Sequence, residues 1–273
     1  METGINNTFL YSAYFLRATH HGEDPNAPKI ASGTGFVVHA DSGNFIFVTN
    51  RHLLDLPWRE GAQFRGFHLS GLELRTHMPS SDGPPKLASP ILVRPQAIRY
   101  HPDETVDIAG FPLKGNIYWE FTTIPNSAPK SMIANDDQFD SAIDAGDIVY
   151  FPGYPEWYDK NGDRPIMRTG AIVSDPRSDY RYDEGPPNRT DGNKQILFEA
   201  FSTSGNSGSP LFVSQRGYQV GDGLEYTGAF RPVTLIGINA GHYRDPEGHH
   251  VGLSRAYKST AILEFIDNLL SAT

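Results

Sequence analysis

Across 273 residues, 23 Lys and Arg face 32 Asp and Glu for a formal net charge of −9, with no cysteine, 27 glycines and 21 prolines. No basic run exceeds a dipeptide, which excludes the cationic footprint expected of a nucleic-acid or anionic-membrane binder. The missing cysteines exclude thiol nucleophiles, CxxC redox motifs and thiolate zinc sites. At roughly 100 to 200 residues per domain, the chain is long enough for one large or two small domains that need no disulfide or metal staple.

Before Arg17 there is no basic residue, and no apolar h-region follows, so the expected location is cytoplasmic with no secretory signal. The most apolar stretches, Phe45-Ile46-Phe47-Val48 and Leu235-Ile236-Gly237-Ile238, fall far short of the ~20 residues that span a bilayer. Short runs rich in Val, Ile, Phe and Tyr, bounded by Gly, Pro, Asn and Asp, predict many short strands. A first set covers residues 9–19, 30–39, 44–50, 63–70, 72–77, 97–100 and 107–111. A second set covers 147–153, 166–173, 195–201, 210–214, 234–240 and 251–256.

Between the sets, residues 126–146 are polar and acidic with no strand pattern until their end, and read as a solvated linker. Their carboxylates lack the alternating oxygen ligands, Gly and terminal Glu of an EF-hand, so no metal is expected. Residues 175–194 are the longest polar excursion and read as a mobile surface loop. Helical periodicity is confined to the end of the chain. There Ser259 is placed to cap, and Ile262, Leu263, Ile266, Leu269 and Leu270 recur on one face. The expectation is an all-β fold of two barrels with a C-terminal helix, one half spanning 1–130 and the other 131–273.

One segment stands out chemically. Gly205-Asn206-Ser207-Gly208-Ser209-Pro210 lies between two apolar runs. Small residues let the backbone turn tightly around a serine so that successive N–H groups converge, which is what an oxyanion hole needs; an ordinary Gly/Ser hairpin is the bland alternative. A serine hydroxyl is a weak nucleophile without a base, so the reading demands a histidine and an orienting carboxylate elsewhere. Thr49-Asn50-Arg51-His52 puts His52 just past a strand. Asp107 sits in the apolar run Val106-Asp107-Ile108-Ala109-Gly110-Phe111, whereas Asp103 and Glu104 fall in a polar turn. The paired histidines His20, His21, His249 and His250, and His39, His68 and His77 at strand ends, carry the bland surface reading.

Taken in order, GTGFVV, TNRH, VDIAGFPL, GNSGSP and LIGINAGH resemble the successive motifs of trypsin-like (chymotrypsin-fold) serine peptidases, in the bacterial disulfide-free branch similar to glutamyl endopeptidases. The resemblance covers roughly residues 8–270. It implies two six-stranded Greek-key barrels with His52 and Asp107 from the first and Ser207 from the second, acting as general base, orienting acid and nucleophile of a serine endopeptidase. The N–H groups of Gly205 and Ser207 would hold the oxyanion, with Asn206 adding its own to the same turn. No cofactor is implied.

Two positions depart from the family pattern. Asn206 stands where many secreted members carry an Asp that pairs with a new N-terminus after activation cleavage, so the site is expected to form without such cleavage. Ser209 replaces a commoner Gly. By similarity the primary pocket is lined by Phe201, Ser202, Thr203 and Ser204, by Asn239, Ala240, Gly241 and His242, and by Gly252. No carboxylate appears among them, which disfavours a Lys or Arg substrate side chain. A glutamyl endopeptidase uses an edge-strand His at the position that here is Asn239, so the expectation leans to an uncharged side chain.

The expected partners are a protein or peptide substrate and, because an unrestrained cytoplasmic peptidase is hazardous, a regulatory protein partner. Nucleic acid and membrane are not expected. The competing readings are a catalytically silent or partner-gated binding module and an esterase or acyl-transfer enzyme using the same serine.

Overall fold

The computed structural model describes residues 6–24, 26–40, 43–117, 124, 126–180, 194–220 and 224–271, with the backbone alone at 59–62, 218–220 and 224–229. Most of the polar excursion predicted at 175–194, and its expected mobility, therefore lie outside the described residues.

The chain starts with a short helix, α1 (Asn7–Leu10), where the sequence predicts strand; Asn6 caps it by accepting the Thr8 N–H. Strands β1 (Ala13–His21), β2 (Lys29–His39) and β3 (Phe45–Thr49) form an antiparallel meander. Two helical turns follow, α2 (Arg51–Leu54) and α3 (Leu56–Glu60). Next come β4 (His68–Arg75), the small hairpin β5 (His77–Met78) and β6 (Lys86–Leu87), β7 (Ile91–Val93), β8 (Arg99–Tyr100) and β9 (Ala109–Pro112). The two strands predicted over 63–77 are mainly one, β4, preceded by a 3-10 turn.

These strands curl into one sheet of order β7-β4-β1-β2-β3-β9-β8, and β10 (Ala128–Pro129) joins β2 in parallel. Its inner face buries Tyr14, Leu16, Val37, Phe47, Leu74 and Phe111. Phe47 explains Gly35: a Cβ there would lie 2.2 Å from the Phe47 ring.

The linker is not merely solvated. It contains α4 (Asp136–Ser141), started by a reciprocal capping box in which Asn135 accepts the Gln138 N–H and Gln138 accepts the Asn135 N–H. Phe139 from this helix is buried, so the acidic residues form the wet face of an amphipathic turn.

In the second half, β11 (Ile148–Gly153), β12 (Ile166–Ile172), β13 (Gln195–Glu199), β14 (Pro210–Val213), β17 (Thr234–Arg244) and β18 (His250–Lys258) close a six-stranded barrel of order β11-β12-β13-β18-β17-β14. Between β14 and β17 lies a hairpin absent from the sequence reading, β15 (Arg216–Val220) and β16 (Leu224–Arg231). All-β architecture and two barrel-like halves are thus present.

The terminal helix α5 (Ser259–Ser271) buries Ile262, Phe265, Ile266 and Leu269, while Leu263 and Leu270 pack partly against the same core. Ser259 opens it and donates its hydroxyl to Ala134 O at 2.7 Å. This core joins Phe36, Val48 and Ile108 of the first half to Phe212, Ile238 and Tyr257 of the second, fixing one half against the other. No helix among the described residues is long and apolar enough to cross a membrane.

Candidate active site

β3 ends at Thr49, and Asn50 turns the chain into α2 from an extended conformation (φ −79°, ψ 144°). Asn50 is fully buried and donates Nδ2–H to Asp107 O at 2.8 Å, tying α2 to the segment before β9. The Asp107 carboxylate closes on one residue twice: Oδ1 accepts the His52 backbone N–H at 2.9 Å, and Oδ2 lies 2.6 Å from His52 Nδ1. The Asp107 side chain is 3% exposed and that of His52 16%. An ionised carboxylate only accepts, so it fixes the proton on Nδ1 and leaves Nε2 as the basic nitrogen.

Surrounding groups brace this helix. Arg51 pairs with Asp55 at 3.0 Å while its guanidinium lies over the Tyr100 and Trp58 rings. Beneath it, His20 Nε2 donates to Leu53 O at 3.0 Å, and burial pushes the His20 imidazole below its usual pKa.

Ser207 sits in a turn shaped by steric exclusion. Gly205 (φ +93°) and Gly208 (φ +85°) occupy the left-handed region. A Cβ on Gly205 would lie 2.1 Å from Tyr154 O, and one on Gly208 1.9 Å from Thr34 O. Asn206, Gly208 and Ser209 donate their amides to Thr203, Asn239 and Asn206 carbonyls. Among the described residues the amides of Gly205 and Ser207 have no such acceptor. The Asn206 N–H, expected to serve the oxyanion, is instead spent 3.0 Å from Thr203 O.

The role of Asn206 is internal. Its fully buried side chain accepts the Thr203 N–H at 3.1 Å, and its carbonyl accepts Asn239 Nδ2 at 2.8 Å. A neutral amide therefore knits the turn where an aspartate would need a cation.

Sequence reasoning missed Thr34, which is fully buried in β2. Its N–H donates to Ser207 O at 2.8 Å and its hydroxyl to Gly205 O at 2.7 Å. The hydroxyl oxygen accepts the Tyr154 N–H at 3.0 Å, and the carbonyl accepts the Thr49 hydroxyl at 2.7 Å. One threonine thus grips both flanks of the serine from the half that supplies His52. Its signal was present in GTGFVV, a polar residue inside an apolar strand between two glycines. Gly33 has the same meaning: a Cβ there would meet the Leu53 side chain at 2.4 Å and Ser207 O at 3.1 Å.

The expected pocket residues divide. Ser202 is buried and bonded through its hydroxyl to Ser254 Oγ at 2.8 Å. Thr203 and Asn239 are bonded to Asn206, and Ala240 belongs to the core between the halves, so its methyl is not a pocket wall. Ser204 is exposed, and its carbonyl accepts the Glu156 N–H at 3.0 Å. Gly241 (φ +145°) and Gly252 (φ +83°) adopt conformations side chains disfavour, and Gly252 faces the Phe201 ring. Phe201 is 62% exposed. His242 and His250, one in each strand of the β17–β18 hairpin, stack with ring centroids 4.4 Å apart. No cluster of metal-ligating side chains occurs among the described residues.

Comparison with known proteins bears on the fold and the family. The solved structure of the HtrA-type protease AlgWS227A with a decapeptide is similar at a TM-score of 0.53 and 16% identity, over 96% of this chain and 64% of that one. The present chain therefore spans about two thirds of that protein's length. A thermostable serine protease, AL20, from an extremophilic microorganism is similar at a TM-score of 0.52 and 12% identity, over 97% and 99% of the two chains. At such identities the likeness establishes the fold, and neither protein is described as a glutamyl endopeptidase. No curated protein matches the sequence. The family model of the trypsin-like peptidase domain matches residues 33–221, well over half of the chain, and the chain belongs to that family.

Proposed function

We propose that the protein is a serine endopeptidase whose nucleophile is Ser207. His52 Nε2 takes the Ser207 proton as Oγ attacks the scissile carbonyl, then returns it to the leaving amine. Asp107 holds the imidazole and stabilises the imidazolium, and the Gly205 and Ser207 N–H groups receive the oxyanion. In this reading the half 1–130 supplies acid and base, and the half 131–273 supplies nucleophile and oxyanion donors. Assembly needs no activation cleavage, because Asn206 holds the turn through neutral hydrogen bonds.

The observation that carries this reading is the buried His52–Asp107 pair, whose geometry leaves one imidazole nitrogen basic. Among the described residues no hydrogen bond joins His52 to Ser207, and such contacts commonly tighten only when substrate is bound. The test is a fluorophosphonate probe with a diverse peptide library, applied to the wild type and to Ser207→Ala. Labelling and cleavage in the wild type, both lost in the variant, are expected. Labelling that persists in Ser207→Ala would remove Ser207 from the mechanism. Absence of both in the wild type would favour a binding module.

A further inference from the structure

Gly205 has no room for a Cβ because Tyr154 O lies against it. Tyr154 opens residues 154–165, the connection between β11 and β12. Two residues further on, the Glu156 N–H donates to Ser204 O at 3.0 Å. A trans peptide points its C=O and its N–H in opposite directions. The bond that fixes Ser204 O therefore also fixes the Gly205 N–H on the far side of the same peptide plane. That N–H has no backbone acceptor among the described residues.

The connection belongs to the second half but is anchored on the first. The Asp163 side chain, 10% exposed, accepts Arg75 Nη1–H at 2.9 Å from the end of β4, and Gly162 O accepts His77 Nε2–H at 3.0 Å from β5. Arg75 is itself aimed: its Nε–H donates to Glu73 at 2.6 Å, and its guanidinium lies 5.6 Å over the Phe15 ring. Phe15 also packs on Tyr154 and Tyr158, with ring centroids 5.5 and 5.6 Å away. Between anchor and turn the connection is braced internally, since Asp159 accepts the Asn161 and Gly162 N–H groups and pairs with Arg164. Asp163 takes φ +47°, a conformation that Asp and Asn tolerate better than other side chains, and this aims its carboxylate at Arg75.

We propose that Arg75 and Asp163 are positioning residues for the oxyanion: by pinning residues 154–165 to the first half, they keep the Glu156 N–H on Ser204 O and so turn the Gly205 N–H towards the scissile carbonyl. A buried ion pair adds little net stability, because desolvation offsets much of the attraction, but it selects one geometry. Here the geometry selected is that of a donor several residues away. The half that carries His52 and Asp107 thereby also sets the direction of a donor in the half that carries Ser207. For its catalytic consequence the inference rests on the peptidase reading above.

The test compares Arg75→Met, which removes the charge, with Arg75→Lys, which keeps it, and with Asp163→Asn, which neutralises the partner at a φ that asparagine accepts. On a cleaved peptide, Arg75→Met is expected to lose about tenfold or more in kcat with KM within about twofold of the wild type. Asp163→Asn should lose less in the same direction, and Arg75→Lys should recover most of the loss. A peptide boronate, whose tetrahedral adduct on Ser207 puts an oxygen where the oxyanion develops, should lose affinity for Arg75→Met by the same factor as kcat. The parent peptide should bind Ser207→Ala equally with and without Arg75→Met, read by fluorescence anisotropy. Circular dichroism checks folding, and if Arg75→Met does not fold, Asp163→Asn carries the same comparisons. Unchanged kcat, or equal losses of boronate and peptide binding, overturns the inference and leaves the peptidase reading standing. Exchange of the Glu156 amide, followed by NMR on protein carrying isotope-labelled glutamate, needs no catalysis: Arg75→Met should speed it by about tenfold or more. Unchanged exchange overturns the inference whatever the activity. Faster exchange in a protein whose wild type neither labels nor cleaves supports the clamp and overturns the peptidase reading, whereas unchanged exchange there overturns both.

Discussion

The two halves of the molecule present their chemical groups by different physics. In the first, His52 and Asp107 stand at element ends and are held by hydrogen bonds from Asn50, the His52 amide and the imidazole itself. In the second, the Ser207 turn is held by shape, with glycines at positive φ pressed against carbonyls of Tyr154 and Thr34. The sheets differ in the same sense: the first ends in the short strands β7 and β8, whereas the second closes on itself. A hydrogen-bonded arrangement can fail by reversing one donor, while a sterically packed one fails when any atom is added. The two meet at Thr34, which bonds the turn while its own carbonyl crowds Gly208.

The largest effect is expected from reversing one donor in the first half. In Asp107→Asn the single carbonyl oxygen can keep the His52 N–H, and the new NH2 then faces Nδ1. The imidazole proton moves to Nε2 and the base is lost. Activity should fall by roughly 10⁴-fold in kcat/KM with the fold intact by circular dichroism. A loss of less than tenfold would show that the carboxylate does not set the tautomer.

Next come two changes where Thr34 meets the serine turn, one on each side. Gly208→Ala places a Cβ 1.9 Å from Thr34 O and must displace the serine, costing about 10²-fold or more in kcat/KM and in labelling rate. Thr34→Val leaves Gly205 O and the Tyr154 N–H without this hydroxyl, costing about 1–3 kcal/mol of stability by urea denaturation for each buried group left unpaired. Thr34→Ser keeps the hydroxyl and should recover most of both stability and activity. A Thr34→Val enzyme less active than Gly208→Ala would reverse the contrast between the halves.

How much of this was legible in the sequence follows the range of the interactions. Alternation of apolar residues marked nearly every barrel strand, and the stripe at Ile262, Leu263, Ile266, Leu269 and Leu270 marked α5, because both patterns are local. α4 was missed despite a local signal: Asn135 and Gln138 form a capping box, but the acidic run around them resembled a loop. His52 and Asp107 stood out as polar residues at the margins of apolar strands. Thr34 left a local hint as a polar residue between two glycines, but its role shows only when the fold brings residue 34 to residues 205 and 207. For Asn206 the sequence pointed to its amide, whereas its side chain and carbonyl do the holding.

The smallest expected effect lies beneath the hydrogen-bonded half, at His20. A carbonyl only accepts, so the bond to Leu53 O fixes hydrogen on His20 Nε2, and Nδ1 is buried without a partner among the described residues. Burial lowers the pKa from 6.5, against smaller opposing contributions from Leu53 and Asp55, and His68 adds a lesser push in the same direction as burial. Below pH about 6.5 the unfolded chain therefore binds more protons than the folded one, so stability declines as pH falls from 6.5 towards the lowered folded pKa. His77, His101 and His250 are lowered by burial too and share that slope. Glutamine can keep a donor for Leu53 O without titrating, so in His20→Gln the fall of Tm between pH 7 and pH 5 should be shallower than in the wild type, with the remaining slope owed to the other three. Parallel Tm profiles would mean that charging His20 adds nothing to the acid slope. A shallower profile would identify a buried imidazole whose charging is penalised directly under the base, in the half where hydrogen bonds rather than shape hold the chemistry in place.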